Sequence, residues 1–419
     1  MKRFFILILL WGAMFTATAQ QKEAIVKGFF EQMNTGNYEG ARRYMQTSML
    51  QKVNADMLKG VWQQLEQQYG KWEAVVSQKI IFDGRNYIIT AGNNFERAQL
   101  QFRVALDSTN KMVGFFLIGA RDKQVVYARN EMPDTIQTTD GGILYGTLTQ
   151  PEGIQHTPVV LIIAGSGPTD RNGNSLFDLG PNGFSYRQLA EGLAANGIAS
   201  LRYDKRWVGQ STGFTRAPVF TTLDDYTADA ISCVQHLQRS GRFPAVSVIG
   251  HSEGGLIGLM MAKEISFKCL IPLSTPGECM DKVVLEQLKP RLSDTLYRQA
   301  AGILNDLRED KAPASVPDQL NAIFNPNNFT FWKSTFHFDP CALLPAAKMP
   351  VLLVGGTADV QVKPAQVTLL KACKPATNAV MINGMTHLLK SGSAVSPDNK
   401  SPLPLSPELL PVLVSFIKQ

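Results

Sequence analysis

A mostly parallel α/β sheet carrying a helical cap, preceded by a small α+β domain, is the architecture predicted by the sequence. Three observations lead there. From about residue 131 onward, fully apolar runs alternate with helical periodicity. Between residues 20 and 130, helical spacing comes first and period-two alternation follows. A segment of different character, about 277–346, interrupts the apolar runs before they resume.

Bulk numbers bound the reading. With 419 residues, 44% hydrophobic and 18% charged, the chain is globular and long enough for more than one core. A net charge of +6 without a long basic block argues against a nucleic-acid partner. The five cysteines are Cys233, Cys269, Cys279, Cys341 and Cys373, with no C-x-x-C and no zinc-like spacing. Buried free thiols are the expectation, with a Cys279–Cys341 bridge across the insert as the alternative.

Residues 1–19 read as a secretory signal peptide. Lys2 and Arg3 are a basic start, Phe4 to Phe15 is an apolar stretch too short to span a bilayer comfortably, and Ala17-Thr18-Ala19 is small-x-small before a cut at Gln20. Export to the periplasm or medium follows, with no stable membrane insertion after cleavage. In residues 20–130, Phe29, Phe30 and Met33, then Met57, Val61, Trp62 and Leu65, recur on helical faces. "WEAVVSQKIIF", "NYIITAGNNF", "AQLQFRVALD" and "MVGFFLIGA" then alternate as strands. "NEMPDTIQTTDGG" reads as a polar linker into residues 131–419.

There, "ILYGTL", "TPVVLIIAG", "GIASLRYD", "AVSVIG", "FKCLIPLST", "MPVLLVGG" and "NAVMINGM" are strands. Most are apolar throughout, as strands covered on both faces must be. "LDDYTADAISCVQHLQRSG" and "GGLIGLMMAKEI" are helices between them, and "SPELLPVLVSFIKQ" is a closing helix with a kink expected at Pro411. The insert at 277–346 starts helical and continues as an aromatic loop, "NPNNFTFWKSTFHFDP". It would cap the carboxyl edge of the sheet, where open α/β sheets bind ligands.

Two G-x-S-x-G patterns occur, around Ser211 and around Ser252. A nucleophilic serine needs exposure, which a sharp strand-to-helix turn provides, and small flanking residues let that turn close. Ser252 follows an apolar strand and precedes a helix. Ser211 follows the charged "YDKRWVG" and precedes a segment broken by Pro218, so Ser252 is the candidate. A helix-capping serine in a glycine-rich turn is the alternative reading of the motif alone.

With this motif the chain resembles the α/β-hydrolase superfamily, over roughly residues 134–419. The resemblance implies the chain order serine, acid, histidine. Asp359 follows "PVLLVGG" and His387 follows "NAVMING", which supplies acid and base in order, each past the end of a strand. His337, Asp339 and Glu253 are rivals by residue type, and Glu253 is read as a side chain at the mouth of the site. The oxyanion hole would use the backbone N–H of Glu253 and, from "IIAGSGPTDRNGN", that of Ser166.

"RYDKRWVGQSTG" resembles a segment of secreted bacterial esterases and peptidase-like members in which glycine usually stands where Trp207 does. Asp204 and Arg206 with Asp170 and Arg171 would form either a charged network around the site or a solvated turn. The N-terminal arrangement resembles hydrolases preceded by an NTF2-like module. The expected activity is that of a secreted serine hydrolase acting on a small-molecule carboxylic ester, with no metal or organic cofactor required. A peptidase or aminopeptidase, a transacylase, and an inactive periplasmic binding protein are the alternatives, and oligomeric state has no signature in the sequence.

Overall fold

The computed structural model describes residues 20–122, 127–154, 156–174, 183–211, 213–321, 323–392 and 403–419. The expected signal peptide, 1–19, lies outside them. The chain divides into two compact units between Val126 and Tyr127.

The first unit opens with a helix over residues 20–34 (α1). Short helices α2 (Tyr38–Arg42) and α3 (Thr47–Leu50) follow, then α4 (Ala55–Tyr69). Strands β1 (Trp72–Phe82), β2 (Tyr87–Phe95), β3 (Ala98–Leu106) and β4 (Met112–Asp122) form an antiparallel sheet in sequence order. Strict alternation of burial along β3 gives the sheet one core face, which packs with Phe29, Phe30, Met33 and Trp62. The buried stripe of α4 is Leu58, Trp62, Leu65 and Tyr69, whereas Met57 and Val61 are exposed. Trp62 and Leu65 of the expected stripe are thus in the core and Met57 and Val61 are not, because 58, 62, 65 and 69 keep helical spacing through the whole element.

In the second unit the eight strands are β5 (Glu131–Gln137), β6 (Ile143–Thr149), β7 (Val159–Ile163), β8 (Ala199–Tyr203), β9 (Val246–His251), β10 (Leu270–Leu273), β11 (Leu352–Gly356) and β12 (Asn378–Ile382). Their order is β12-β11-β10-β9-β7-β8-β6-β5. Pairing is parallel from β12 through to β8, and antiparallel for β8 with β6 and for β6 with β5. All residues of β7 to β11 are buried, as their continuous apolar runs required. The helices between them are α5 (Ser185–Ala195), α6 (Leu223–Arg239) and α7 (Glu253–Met261). A capping box of Thr222 and Asp225 starts α6.

The polar linker is in fact β5. Its charge and Pro133 hid it, yet proline is tolerated on an edge strand, and Glu131 is buried because it pairs with Arg202 of β8. The insert between β10 and β11 holds α8 (Met280–Leu288), α9 (Asp294–Arg308), α10 (Phe329–Thr335) and α11 (Pro340–Leu343). Part of the expected aromatic loop is therefore the helix α10. Its Trp332 stacks on Phe336 and donates to the Ile323 carbonyl, so these aromatics pack the insert together. After β11 come α12 (Pro364–Cys373) and the closing α13 (Leu409–Ile417). Pro411 lies in the first turn of α13, where an amide has no helical partner to lose, so it calls for no kink. No described helix is long and apolar enough to cross a membrane.

Cys341 is bonded to Cys373, with Cα atoms 5.5 Å apart, and not to Cys279, which is buried and free with Cys233 and Cys269. The bridge ties the end of the insert to the end of α12. Closing 32 residues of chain, it stabilises by about 2–4 kcal/mol through the unfolded state. Denatured, unreduced protein should titrate three thiols. The Cys341→Ser, Cys373→Ser double variant should be less stable by about 2–4 kcal/mol in urea titration, with a lower midpoint; an unchanged midpoint would mean the bridge does not form.

Candidate active site

The carboxyl edge of the parallel strands gathers four loops. β9 runs into Ser252, which turns directly into α7. The serine backbone is left-handed, with φ 55° and ψ −121°. A non-glycine residue is held there only if its surroundings demand it. Here the turn brings backbone against backbone. A Cβ at Gly250 would lie 2.2 Å from the Gly254 carbonyl oxygen, and one at Gly254 would lie 2.4 Å from that of Ile163. Both flanking positions of the motif therefore have no room for a side chain. Ser252 makes no side-chain cap to α7, so the helix-capping reading falls away.

Asp359 lies just past β11 and His387 just past β12. Asp359 Oδ2 is 2.8 Å from His387 Nδ1, and Asp359 Oδ1 accepts from the amides of Gln361 at 2.9 Å and Val362 at 2.8 Å. A carboxylate only accepts, so Nδ1 carries the proton and Nε2 presents its lone pair. Burial alone would raise the Asp359 pKa. The hydrogen bond and charge of His387 and the two amides outweigh it and hold the carboxyl below its ordinary value. Ser252 and His387 are 8% and 9% exposed, so both are largely buried yet not sealed from solvent. Of the three expected residues, the structure joins Asp359 and His387. It draws no hydrogen bond from the Ser252 hydroxyl among the described residues, and such bonds tighten when substrate arrives.

The rivals have other roles. Asp339 caps α11 through the Cys341 amide at 2.9 Å. His337 is exposed, 3.8 Å from Asp310. The Ser211 hydroxyl is fully buried, donating to the Asp204 carbonyl and accepting from the Tyr145 amide, both at 2.9 Å. Glu253 is not at the mouth of the site. Its side chain is 1% exposed and paired with Lys205 at 2.9 Å, because a carboxylate buried beside the nucleophile needs a counter-charge.

The Glu253 N–H is the first amide of α7, one a helix leaves without an internal partner. The loop after β7 passes so near Ser252 that a Cβ on Gly165 would be 3.1 Å from the serine Cβ. Gly165 gives its N–H to the Tyr186 hydroxyl at 3.0 Å, and Ser166 follows it on the exposed side. Lys205 Nζ donates to the Gly165 carbonyl at 3.0 Å as well as to Glu253, so one ammonium binds both sides of the candidate oxyanion hole. Burial opposes its charge, but Glu253, with Tyr226 and Asp229, more than compensates and lifts the lysine above its ordinary pKa.

The charges after β8 are a buried network rather than a solvated turn. Arg171 grips Asp204 with Nε at 3.0 Å and Nη2 at 2.6 Å, and Arg206 grips Asp229 with Nε at 2.7 Å and Nη2 at 2.6 Å. Asp170 instead organises its own turn, accepting from the amides of Asn172 and Asn174. Trp207 has φ 68°, which accounts for the glycine usual at that place. Its ring compensates by packing on Phe214, centroids 5.3 Å apart, and donating to Thr221 at 3.1 Å. No role was read for Lys205, His251 or Tyr186 in the sequence, although Lys205 lies within "RYDKRWVGQSTG" and His251 within the serine motif; Tyr186 had no local signal.

A family profile described as "Serine aminopeptidase, S33" matches residues 182–391, and one described as "Protein of unknown function (DUF3887)" matches residues 26–115. Esterase EstD of Thermotoga maritima is 25% identical over 380 residues, covering 88% of this chain and 88% of that protein. Among solved structures, Est1E from Butyrivibrio proteoclasticus is similar with a TM-score of 0.42 and 18% identity, over 68% of this chain and 96% of its own. The Pyrococcus furiosus esterase Pf2001 is similar with a TM-score of 0.44 and 17% identity, over 69% of this chain and 92% of its own.

Asp359→Asn should lower kcat about 10⁴-fold, since an amide at that place can hold the wrong tautomer. Wild type should also lose stability relative to that variant as pH falls below the ordinary aspartate range. The folded state holds Asp359 at a depressed pKa, so its contribution is complete above the unfolded value and disappears through the folded one. Parallel acid unfolding curves for the two proteins would contradict this. Trp207→Gly should relieve about 1 kcal/mol of backbone strain yet lose more in packing, for a net destabilisation of about 2 kcal/mol in urea titration.

Proposed function

The chain belongs to the α/β-hydrolase family described as serine aminopeptidase, S33, and on that premise we propose that it is an exported serine hydrolase cleaving small carboxylic esters. The observation that carries the proposal is a left-handed serine at a strand-to-helix turn, on the same sheet edge as a hydrogen-bonded aspartate–histidine pair.

In the proposed cycle His387 Nε2 takes the proton of Ser252 as its oxygen attacks the ester carbonyl carbon. The carbonyl oxygen becomes an oxyanion facing the amides of Glu253 and Ser166. One such donor is worth about 3 kcal/mol of barrier. Asp359 stabilises the imidazolium and keeps its ring in place. Collapse breaks the carbon–oxygen bond of the ester, and His387 returns the proton to the departing alcohol. Water then attacks the acyl-enzyme by the same route, and Ser252 recovers its proton. No step draws on a metal or organic cofactor.

Two features support esters over peptides. A relative that matches most of the chain is named an esterase. The carboxylate next to the nucleophile, Glu253, is already neutralised by Lys205, so it is not free to hold the ammonium of a peptide N-terminus. The second reading, an aminopeptidase, has the family description in its favour. Export is supported by the N-terminal residues and by the Cys341–Cys373 bridge, which persists in oxidising compartments.

A fluorophosphonate probe followed by peptide mapping should label Ser252, and Ser252→Ala should lose label and ester turnover together. Retained turnover, or a label elsewhere, would sink the proposal. Nitrophenyl esters of short acids should be cleaved far faster than aminoacyl anilides; the reverse order would favour the aminopeptidase.

A further inference from the structure

His251 precedes the candidate nucleophile and has a buried ring with both nitrogens engaged. Its Nε2 is 2.9 Å from the carbonyl oxygen of His387, and its Nδ1 is 2.8 Å from the Tyr186 hydroxyl. A carbonyl only accepts, so Nε2 carries the proton and Nδ1 is the acceptor. The Tyr186 O–H therefore donates to Nδ1, and its oxygen accepts the Gly165 N–H at 3.0 Å. Every proton along this path has one direction: Gly165 N–H to Tyr186, Tyr186 O–H to His251, His251 N–H to the backbone of His387.

Burial, then the neighbouring His387, pushes the His251 pKa down to about 3, so its ring stays neutral wherever a hydrolase of this kind would work. Burial raises Tyr186 above an ordinary tyrosine, so its proton stays on. The base loop has further anchors on the same helix, α5. The Ser185 hydroxyl donates to the Leu388 carbonyl at 2.7 Å, and Lys390 donates to Gln188 Oε1 at 2.6 Å. The rings of His251 and His387 lie with centroids 4.8 Å apart.

We propose that His251, oriented by Tyr186, is a positioning residue that holds the His387 loop and the Gly165–Ser166 loop in one register around Ser252. The proposal rests on the acyl-enzyme reading above. Base and oxyanion donors come from loops far apart in sequence, after β12 and β7. A catalytic geometry that must hold within a fraction of an ångström needs a direct link between them, and a displacement near 1 Å can cost about 100-fold in rate. The Tyr186–His251 path supplies that link through the residue adjoining the nucleophile.

The test compares Tyr186→Phe, His251→Gln and His251→Leu with Leu193→Ala, a buried core change on the same helix. For each, kcat and KM on a short acyl nitrophenyl ester, the rate of fluorophosphonate labelling and the thermal midpoint are measured. Tyr186→Phe and His251→Leu should lose about 10- to 100-fold in kcat and in labelling rate, with KM within about threefold. His251→Gln, whose amide can still donate to the His387 carbonyl, should recover at least about fivefold over His251→Leu at a similar midpoint. Leu193→Ala should lower the midpoint and leave kcat unchanged. The proposal is overturned if Tyr186→Phe and His251→Leu keep wild-type kcat, or if Gln and Leu at 251 are equally impaired. Should Tyr186→Phe not fold, the Gln-to-Leu ratio decides alone. Wild type that fails to label at Ser252 would instead remove the acyl-enzyme reading itself.

Discussion

A serine held left-handed between the last residue of β9 and the first of α7 is the constraint on which the rest of the site depends. That backbone costs on the order of 1–3 kcal/mol at a non-glycine residue. It persists because both elements it joins are wholly buried, every residue of β9 and of α7 included. The Ser252 amide also donates to the Leu273 carbonyl at 2.8 Å, so the turn begins while the chain is still bonded into the sheet. Relaxing the turn would tear a central strand from its neighbours. The glycines at 250 and 254 are the sequence's concession to this closeness, and the hydroxyl, unable to cap the helix it precedes, is left for chemistry.

The second feature is how much charge is buried around that turn. Three consecutive residues after β8 reach in three directions. Asp204 takes Arg171 of the loop after β7, Lys205 takes Glu253 at the start of α7, and Arg206 takes Asp229 of α6. Pairs like these add little net stability over well-packed apolar residues, because desolvation consumes most of the attraction. Their directionality is what matters, since each buried charge must keep its partners in hydrogen-bonding geometry, which restricts the loops that carry them. Burial, with the carboxylates of Asp140 and Asp225 nearby, pushes the Asp229 pKa up against the pull of Arg206, the direction in which desolvation opposes such a pair. The Trp207 backbone, left-handed immediately after the triplet, lets the chain double back so that Ser211 can seal the turn.

The path through Tyr186 and His251 is the uncharged counterpart of that network. The ion pairs tie the loops after β7 and β8 to α6 and α7, and the neutral path reaches the loop that carries His387. The Cys341–Cys373 bridge lies beyond both and joins the insert to α12, the helix that follows the Asp359 loop.

Periodicity and glycine placement were enough to read the buried parallel strands and the helix after Ser252, while Asp359 and His387, each past a strand end, followed from the chain order that the resemblance to α/β hydrolases implies. Those features are local: an apolar run, a tight turn and a residue after a strand are each written in a few adjacent positions. The strand β5 was missed because its burial depends on Glu131 meeting Arg202, a partner 71 residues away. The helix α10 was read as loop because its seven residues are too few for a helical period to show, and its aromatic rings pack within the insert. The same distance effect decided the site. Whether Glu253 lay in solvent or against Lys205, whether the charges near 204 were a network, and which ring nitrogen of His251 carries a proton all turn on contacts between remote segments. Sequence determined which residues could do chemistry and on which edge; only the tertiary structure decided their partners, because a buried polar group's role is set by whatever desolvates and pairs with it.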